Sequence, residues 1–287
     1  MTPRFALLEA RVTRREELAR GYVRLDLAAP ELTGAGPGQF VHVACRQPEA
    51  WDPLLRRPLA VADVLPQSGE VTLVLRVAGR GTAWLARRQV GDVLDVMGPL
   101  GRGFSVGQGG GSYLLVGGGT GVPPLLLLAR RLAEHGATVW AVLGFREASQ
   151  VILVHAFESV GARVVVATDD GSLGVAGTAA DAAASLWPRA ERVYGCGPWG
   201  LLHALHRRNA AGPRRPLEVS VEAMMGCGAG VCLSCVVPRA EPSTPPDPGG
   251  PRPALRGSTG WLRACREGPV FAEDELDWER CPVGDRL

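Results

Sequence analysis

A chain of 287 residues is long enough for about two domains, and its 46% hydrophobic and 21% charged content is that of an ordinary globular protein. With 31 basic against 29 acidic residues the net charge is +2, which gives no electrostatic footprint for a nucleic-acid partner. All the basic residues are Arg and none is Lys, a bias from which no function follows. Seven cysteines are an odd number, and three crowd into residues 227–235, which points to a reducing compartment rather than a secreted disulfide framework. Residues 1–20 have no signal-peptide pattern, and the most apolar run, 122–129, is far too short for a bilayer. A cytoplasmic protein with no membrane partner is expected.

The first hundred residues carry β-branched or alternating runs at 4–12, 22–27, 39–45, 57–62, 71–77 and 92–97, punctuated by Gly/Pro turns. One short helix, 83–88, interrupts them, and the spacing predicts a small antiparallel β-barrel. After a glycine run at 107–111 the rhythm changes. Strands at 113–116, 138–144, 163–168, 192–194 and 217–221 alternate with helices at 123–135, 150–160, 178–187 and 199–210, the pattern of a doubly wound parallel α/β sheet. Beyond Met224 comes a cysteine loop, then a Pro/Gly-rich segment, 238–257, too poor in apolar residues to fold alone. A strand over 261–265 closes the pattern. The expected units are a barrel (1–106), an α/β domain (107–221) and a small cluster module (222–287).

The cysteine loop is the most specific feature. Cys227, Cys232 and Cys235 follow C-x4-C-x2-C, and with Cys265 downstream they have the plant-type ferredoxin spacing for a [2Fe–2S] cluster. A loop that aims several thiolates inward needs left-handed or crowded backbone angles, which Gly226, Gly228 and Gly230 supply. The competing reading is structural zinc, which more often uses two separated tight pairs.

Gly117-Gly118-Gly119-Thr120-Gly121-Val122-Pro123-Pro124 joins a strand to a helix. Gly118, Gly119, Thr120 and Gly121 there would let a dinucleotide pyrophosphate approach the helix N-terminus; the alternative is a tight turn. Cys196, Gly197 and Pro198 close a later strand where ligands of such sheets bind, although a lone cysteine is more often a small buried residue. In the barrel, Arg57 could clamp a flavin pyrophosphate and Gly81-Thr82 could offer N–H groups; a solvated arginine and a capping threonine are the simpler reading.

Taken together, the R-P-L strand, the glycine loop, the C-G-P turn and the C-x4-C-x2-C loop resemble the ferredoxin–NADP reductase superfamily. Within it the chain is most similar to electron-transfer subunits of the NAD-dependent, class 1B dihydroorotate dehydrogenases. Pro37-Gly38-Gln39-Phe40, Leu54 to Leu59, Gly98 to Gly101, Leu143 to Phe145, Thr168 to Ser172 and Cys265 to Phe271 share in the likeness, which runs through nearly the whole chain. The resemblance implies a flavin-binding barrel with FAD contacts at Arg57, Pro58, Leu59 and Ala60, at Val74, Leu75 and Arg76, and at Gly81 and Thr82. It implies NAD as the dinucleotide and ligation of a [2Fe–2S] cluster by Cys227, Cys232, Cys235 and Cys265. It also implies an FMN-containing catalytic subunit as partner, in a heterotetramer of two of each chain. Electrons from dihydroorotate would pass through the cluster and FAD to NAD+, with no general acid–base residue in this chain. Ala60 stands where the family usually has Ser, Leu75 where an aromatic residue is common, and Met224 where an arginine is found.

Two alternatives stay open. Related subunits of NADH-dependent ferredoxin:NADP+ reductases and sulfhydrogenases share the three modules, and a non-catalytic redox sensor or zinc-stapled module is the more distant one. Gly144-Phe145-Arg146-Glu147 carries both an Arg suited to a 2′-phosphate and a Glu suited to a 2′-hydroxyl, so the residues leave NAD against NADP undecided.

Overall fold

In the computed structural model, which describes residues 5–47, 49–107, 109–241 and 260–282, six antiparallel strands close into a barrel. They are β1 (Ala6–Ala19), β2 (Tyr22–Ala28), β3 (Phe40–Val43), β4 (Arg57–Leu65), β5 (Glu70–Arg76) and β6 (Val93–Leu100), ordered β1-β2-β5-β4-β3-β6. Inward residues such as Val41, Val43, Leu59, Leu73, Leu75 and Val96 fill its interior. The helix α1 (Arg80–Ala86) follows β5. The strand expected over 4–12 runs on to Ala19. Its second half, rich in helix-forming Arg, Glu and Leu, pairs with β2 from Arg11 to Ala19 with two register shifts, so cross-strand pairing overrides local propensity.

The second unit is the expected α/β sheet, with strands β7 (Ser112–Gly118), β8 (Thr138–Phe145), β9 (Arg163–Thr168), β10 (Val175–Ala176), β11 (Arg192–Cys196) and β12 (Leu217–Ser220), all parallel. Helices α2 (Pro124–Glu134), α3 (Val154–Ser159), α4 (Ala179–Ala182) and α5 (Trp199–Ala211) connect them. The order β10-β9-β8-β7-β11-β12 reverses direction between β7 and β11; that switch point opens a crevice at the C-terminal strand ends. Two helices are shorter than their spacing suggests. Leu153 takes φ +64° just before α3, where β-branched Val151 and Ile152 disfavour helix. After α4 the chain tightens into 3-10 turns at Ala183–Ser185 and Trp187–Arg189, the second containing Pro188, which cannot donate an N–H.

The C-terminal residues form a hairpin of β13 (Val236–Pro238) and β14 (Trp261–Arg263), then β15 (Val270–Ala272). Most of the Pro/Gly-rich segment, 242–257, lies outside the described residues. β15 adds antiparallel to β12 and extends the α/β sheet. Just before it, Gly268-Pro269 abuts the barrel: Arg102 Nε donates to Val270 O at 3.0 Å, and a Cβ on Gly101 would stand 2.6 Å from Pro269 Cδ. One core cluster therefore contains Phe40 and Leu100 of the barrel, Val116 and Val219 of the sheet, and Cys235, Cys265 and Phe271. On the opposite side the Arg130 Nε of α2 donates to Asp63 of β4 at 2.9 Å, tying helix to barrel. Among the described residues no helix is long and apolar enough to cross a membrane.

Candidate functional site

The loop from Cys227 to Cys235 wraps as its glycines require. Gly228 and Gly230 have φ of +69° and +79°, and a Cβ on Gly226 would lie 3.2 Å from both Cys232 Sγ and Ser234 Oγ. The N–H groups of Ala229, Val231 and Cys232 donate to Cys227 Sγ at 3.4, 3.3 and 3.4 Å. The hairpin returns Cys265 to Cys235: Ala264 N–H donates to Cys235 O at 2.9 Å, and Cys265 N–H donates to Cys235 Sγ at 3.5 Å.

The four cysteines adjoin in two pairs, each tied by a backbone N–H: that of Cys232 donates to Cys227 Sγ and that of Cys265 to Cys235 Sγ. The Ser234 hydroxyl and N–H, with Cys227 behind them, pull the Cys232 thiol down to about 6. In the other pair Cys235 is lowered and Cys265 raised, because each bonds the other and one proton serves both. Two adjoining pairs of cysteines fit a two-iron cluster, which takes two cysteines per iron. Cys281 is buried in the same core cluster as Cys235 and Cys265; desolvation and the Asp277 carboxylate push its thiol up to about 12. Cys45 is sealed in the barrel core, and burial raises it to about 11.

The candidate flavin residues sort by face. Arg57 lies over Gly81, where a Cβ would be 2.7 Å from Arg57 Nε, so the two are brought together and a side chain at Gly81 would displace the arginine. Pro58 and Ala60 occupy the outer face of β4, opposite His42 and Phe40. The Leu59 and Leu75 side chains point into the barrel core, which leaves only their backbone to a ligand. Val74 packs against the α/β domain, and Arg76 lines the interdomain crevice. Thr82 accepts from the Ala78 and Gly79 N–H groups at 2.9 and 3.1 Å, so its hydroxyl closes the start of α1. Replacing Arg57 with Ala is expected to weaken FAD binding about 10- to 100-fold, the loss of one charge-assisted hydrogen bond of about 1.5–3 kcal/mol. Fluorimetric titration of the deflavinated protein checks this; unchanged affinity would reduce Arg57 to a packing role.

At the switch point a crevice of about 280 Å³ is lined by Gly118, Gly119, Thr120 and Pro198, as expected, together with Tyr22, Arg76, Arg146 and Asp169. Gly121, Cys196 and Gly197 lie behind this lining. A Cβ on Gly121 would stand 2.2 Å from Cys196 O, and one on Gly197 would be 3.0 Å from Gly118 O, so the two loops meet backbone to backbone. Cys196 is buried, and desolvation followed by the Glu222 carboxylate pushes its thiol up to about 12, which leaves it protonated and unreactive. Thr120 Oγ1 donates to Glu222 at 2.8 Å and links this loop to the cluster segment. Arg146 faces the crevice, whereas Ser149 Oγ donates to Glu147 at 2.5 Å. Tyr22 carries no local sequence signal, and Asp169 is marked only by the Thr168 to Ser172 likeness: one comes from the barrel and the other from the end of β9, and only the fold makes them neighbours.

Residues 222–246 match the iron-sulfur cluster binding domain of dihydroorotate dehydrogenase B. A Bacillus caldolyticus protein named dihydroorotate dehydrogenase B (NAD(+)), electron transfer subunit, is 41% identical over 244 residues, 84% of this chain and 86% of its own. The chain belongs to that family of electron-transfer subunits. A Desulforamulus reducens member of the same name is 38% identical over 258 residues, covering 89% of this chain and 92% of its own. Among solved structures, an NADH-dependent reduced ferredoxin-NADP oxidoreductase is similar with a TM-score of 0.79 at 29% identity, over 95% of this chain and 91% of that one. Ferredoxin-NADP+ reductase from Plasmodium falciparum, at 10% identity and a TM-score of 0.63, covers 75% of this chain and 96% of its own and shares the fold alone.

Proposed function

We propose that this chain carries electrons from an FMN-containing dihydroorotate dehydrogenase catalytic subunit through a [2Fe–2S] cluster and FAD to NAD+, serving de novo pyrimidine (UMP) synthesis in the cytoplasm. The assembly is a heterotetramer of two of each chain. The observation that carries this reading is the adjoining of Cys227 with Cys232 and of Cys235 with Cys265 in a chain 41% identical to a named electron-transfer subunit. When bound, the cluster handles single electrons and the flavin converts them to a hydride for the nicotinamide.

The chain's own residues bind and orient. Cys227, Cys232, Cys235 and Cys265 hold the cluster. Arg57, Pro58 and Ala60, the backbone of Leu59, Val74, Leu75 and Arg76, and Gly81 with Thr82 form the flavin cradle. Gly118 to Gly121 and Cys196 to Pro198 shape the dinucleotide crevice. The working units are residues 1–106, 107–221 and 222–287, the last lending β15 to the sheet of the second. Exposed Met224, Val231 and Leu233 ring the cysteine loop, an apolar rim on which a partner subunit can seat.

Co-expression with a dihydroorotate-oxidising subunit tests the reading. The complex is expected to co-purify, to show flavin and iron–sulfur absorption, and to turn over NAD+ at least about tenfold better than NADP+. A colourless zinc protein would refute it. Association with a ferredoxin:NADP+ reductase partner would favour the second reading, which the 29%-identical structural relative supports.

A further inference from the structure

His42 lies in the middle of β3 with its neighbours Val41 and Val43 in the barrel core, so its imidazole is on the outer face. There it is 0% exposed, and neither Nδ1 nor Nε2 has a hydrogen-bond partner. Leaving a buried polar atom unsatisfied is destabilising, so an imidazole with two of them signals a partner from outside the polypeptide. Its surroundings narrow what that partner is. On one side is the cysteine loop: Gly228 directly follows Cys227, and a Cβ there would stand 2.8 Å from His42 Nδ1. On the other is β4, whose Pro58 lies directly opposite and shares the outer face with Ala60. The ring thus sits between the loop that would hold iron and the strand that would hold flavin. Burial, then the charges of Arg56 and Arg57, lower its pKa to about 4; the ring is neutral near pH 7 and keeps one N–H to donate.

We propose that His42 is a positioning residue of the electron path, whose Nδ1–H serves the sulfur shell of the adjoining cysteine loop and raises the reduction potential of the centre held there. The physical reason is charge. Reduction adds a negative charge to a cluster already held by four thiolates, and hydrogen bonds toward its sulfurs stabilise the reduced form preferentially. Gly228 is the complementary half of the device, since any side chain there would displace the ring. The proposal rests on reading the chain as an iron–sulfur flavoprotein.

The test is a redox titration of the purified complex, followed by electron paramagnetic resonance for the cluster and by absorbance for the flavin. His42→Phe keeps a ring and removes both nitrogens. It is expected to shift the cluster's reduction equilibrium about tenfold toward the oxidised form, about 59 mV for one electron, with altered resonance g-values and an unmoved flavin couple. His42→Gln, which retains an N–H, is expected to recover most of the shift. His42→Leu gives the same readout should the phenylalanine variant fail to load. A loaded variant with unchanged cluster potential and g-values overturns the proposal, and so does a shift confined to the flavin couple. A wild-type complex lacking both iron and flavin overturns the functional reading and this inference together, whereas a loaded wild type with silent variants removes His42 alone.

Discussion

Replacing Cys232 with Ser is expected to remove the iron–sulfur absorption and resonance signals and to cut electron delivery to NAD+ at least about a hundredfold. Loss of outer-shell partners alone costs metal sites 10–100-fold, and losing a ligand costs more. Cys232 is the informative choice because its side chain is exposed, while Cys235 and Cys265 are 2% and 3% exposed within the shared core. A serine at either buried site confounds lost ligation with a buried hydroxyl; at Cys232 the packing is untouched. The flavin is therefore expected to remain, and NADH oxidation by an artificial acceptor to persist. Persistent cluster bands would mean the ligand set is misassigned, and loss of flavin along with the cluster would mean the loop is a structural staple for the barrel.

Gly121→Ala is expected to raise the KM for the dinucleotide more than about tenfold with FAD content unchanged. The added methyl would stand 2.2 Å from the Cys196 carbonyl oxygen and 2.5 Å from Gly197 Cα. Both are backbone atoms, so no rotamer change relieves the clash, and overpacking of this kind costs about 1–3 kcal/mol or more. The two loops must part, and they are the walls of the crevice. Gly34→Ala is the control: its Cβ meets nothing within 4 Å, and neither stability nor KM should change. Steady-state kinetics with thermal unfolding of both variants decide the matter, and a normal KM in Gly121→Ala would separate the loop contact from dinucleotide binding.

Much of this site was legible because its signals are local. The C-x4-C-x2-C spacing and its glycines prescribe a thiolate-lined loop within nine residues, 227–235, and the glycine loop and the Cys196-Gly197-Pro198 turn each announce a strand end. What stayed hidden depends on contacts between distant segments. Val41-His42-Val43 has the alternation of any strand, and nothing in it says that Gly228 will face the ring. Leu75 belongs to the flavin stretch by resemblance, yet alternation along β5 sends its side chain into the barrel. Val270–Ala272 is too short for a strand signal and becomes β15 only because β12 offers an open edge.

The sequence by itself determined the antiparallel barrel, the parallel α/β sheet and the iron–sulfur binding segment near the C-terminus, since hydrophobic period, turn residues and ligand spacing act over a few residues. The tertiary structure alone decided which segments adjoin one another: Cys265 against Cys235, Gly121 against Cys196, and His42 between the cysteine loop and β4. Those juxtapositions follow from barrel closure, from the direction reversal between β7 and β11, and from the Gly268–Ala272 stretch that joins the sheet to the barrel, all long-range packing outcomes that no local pattern encodes.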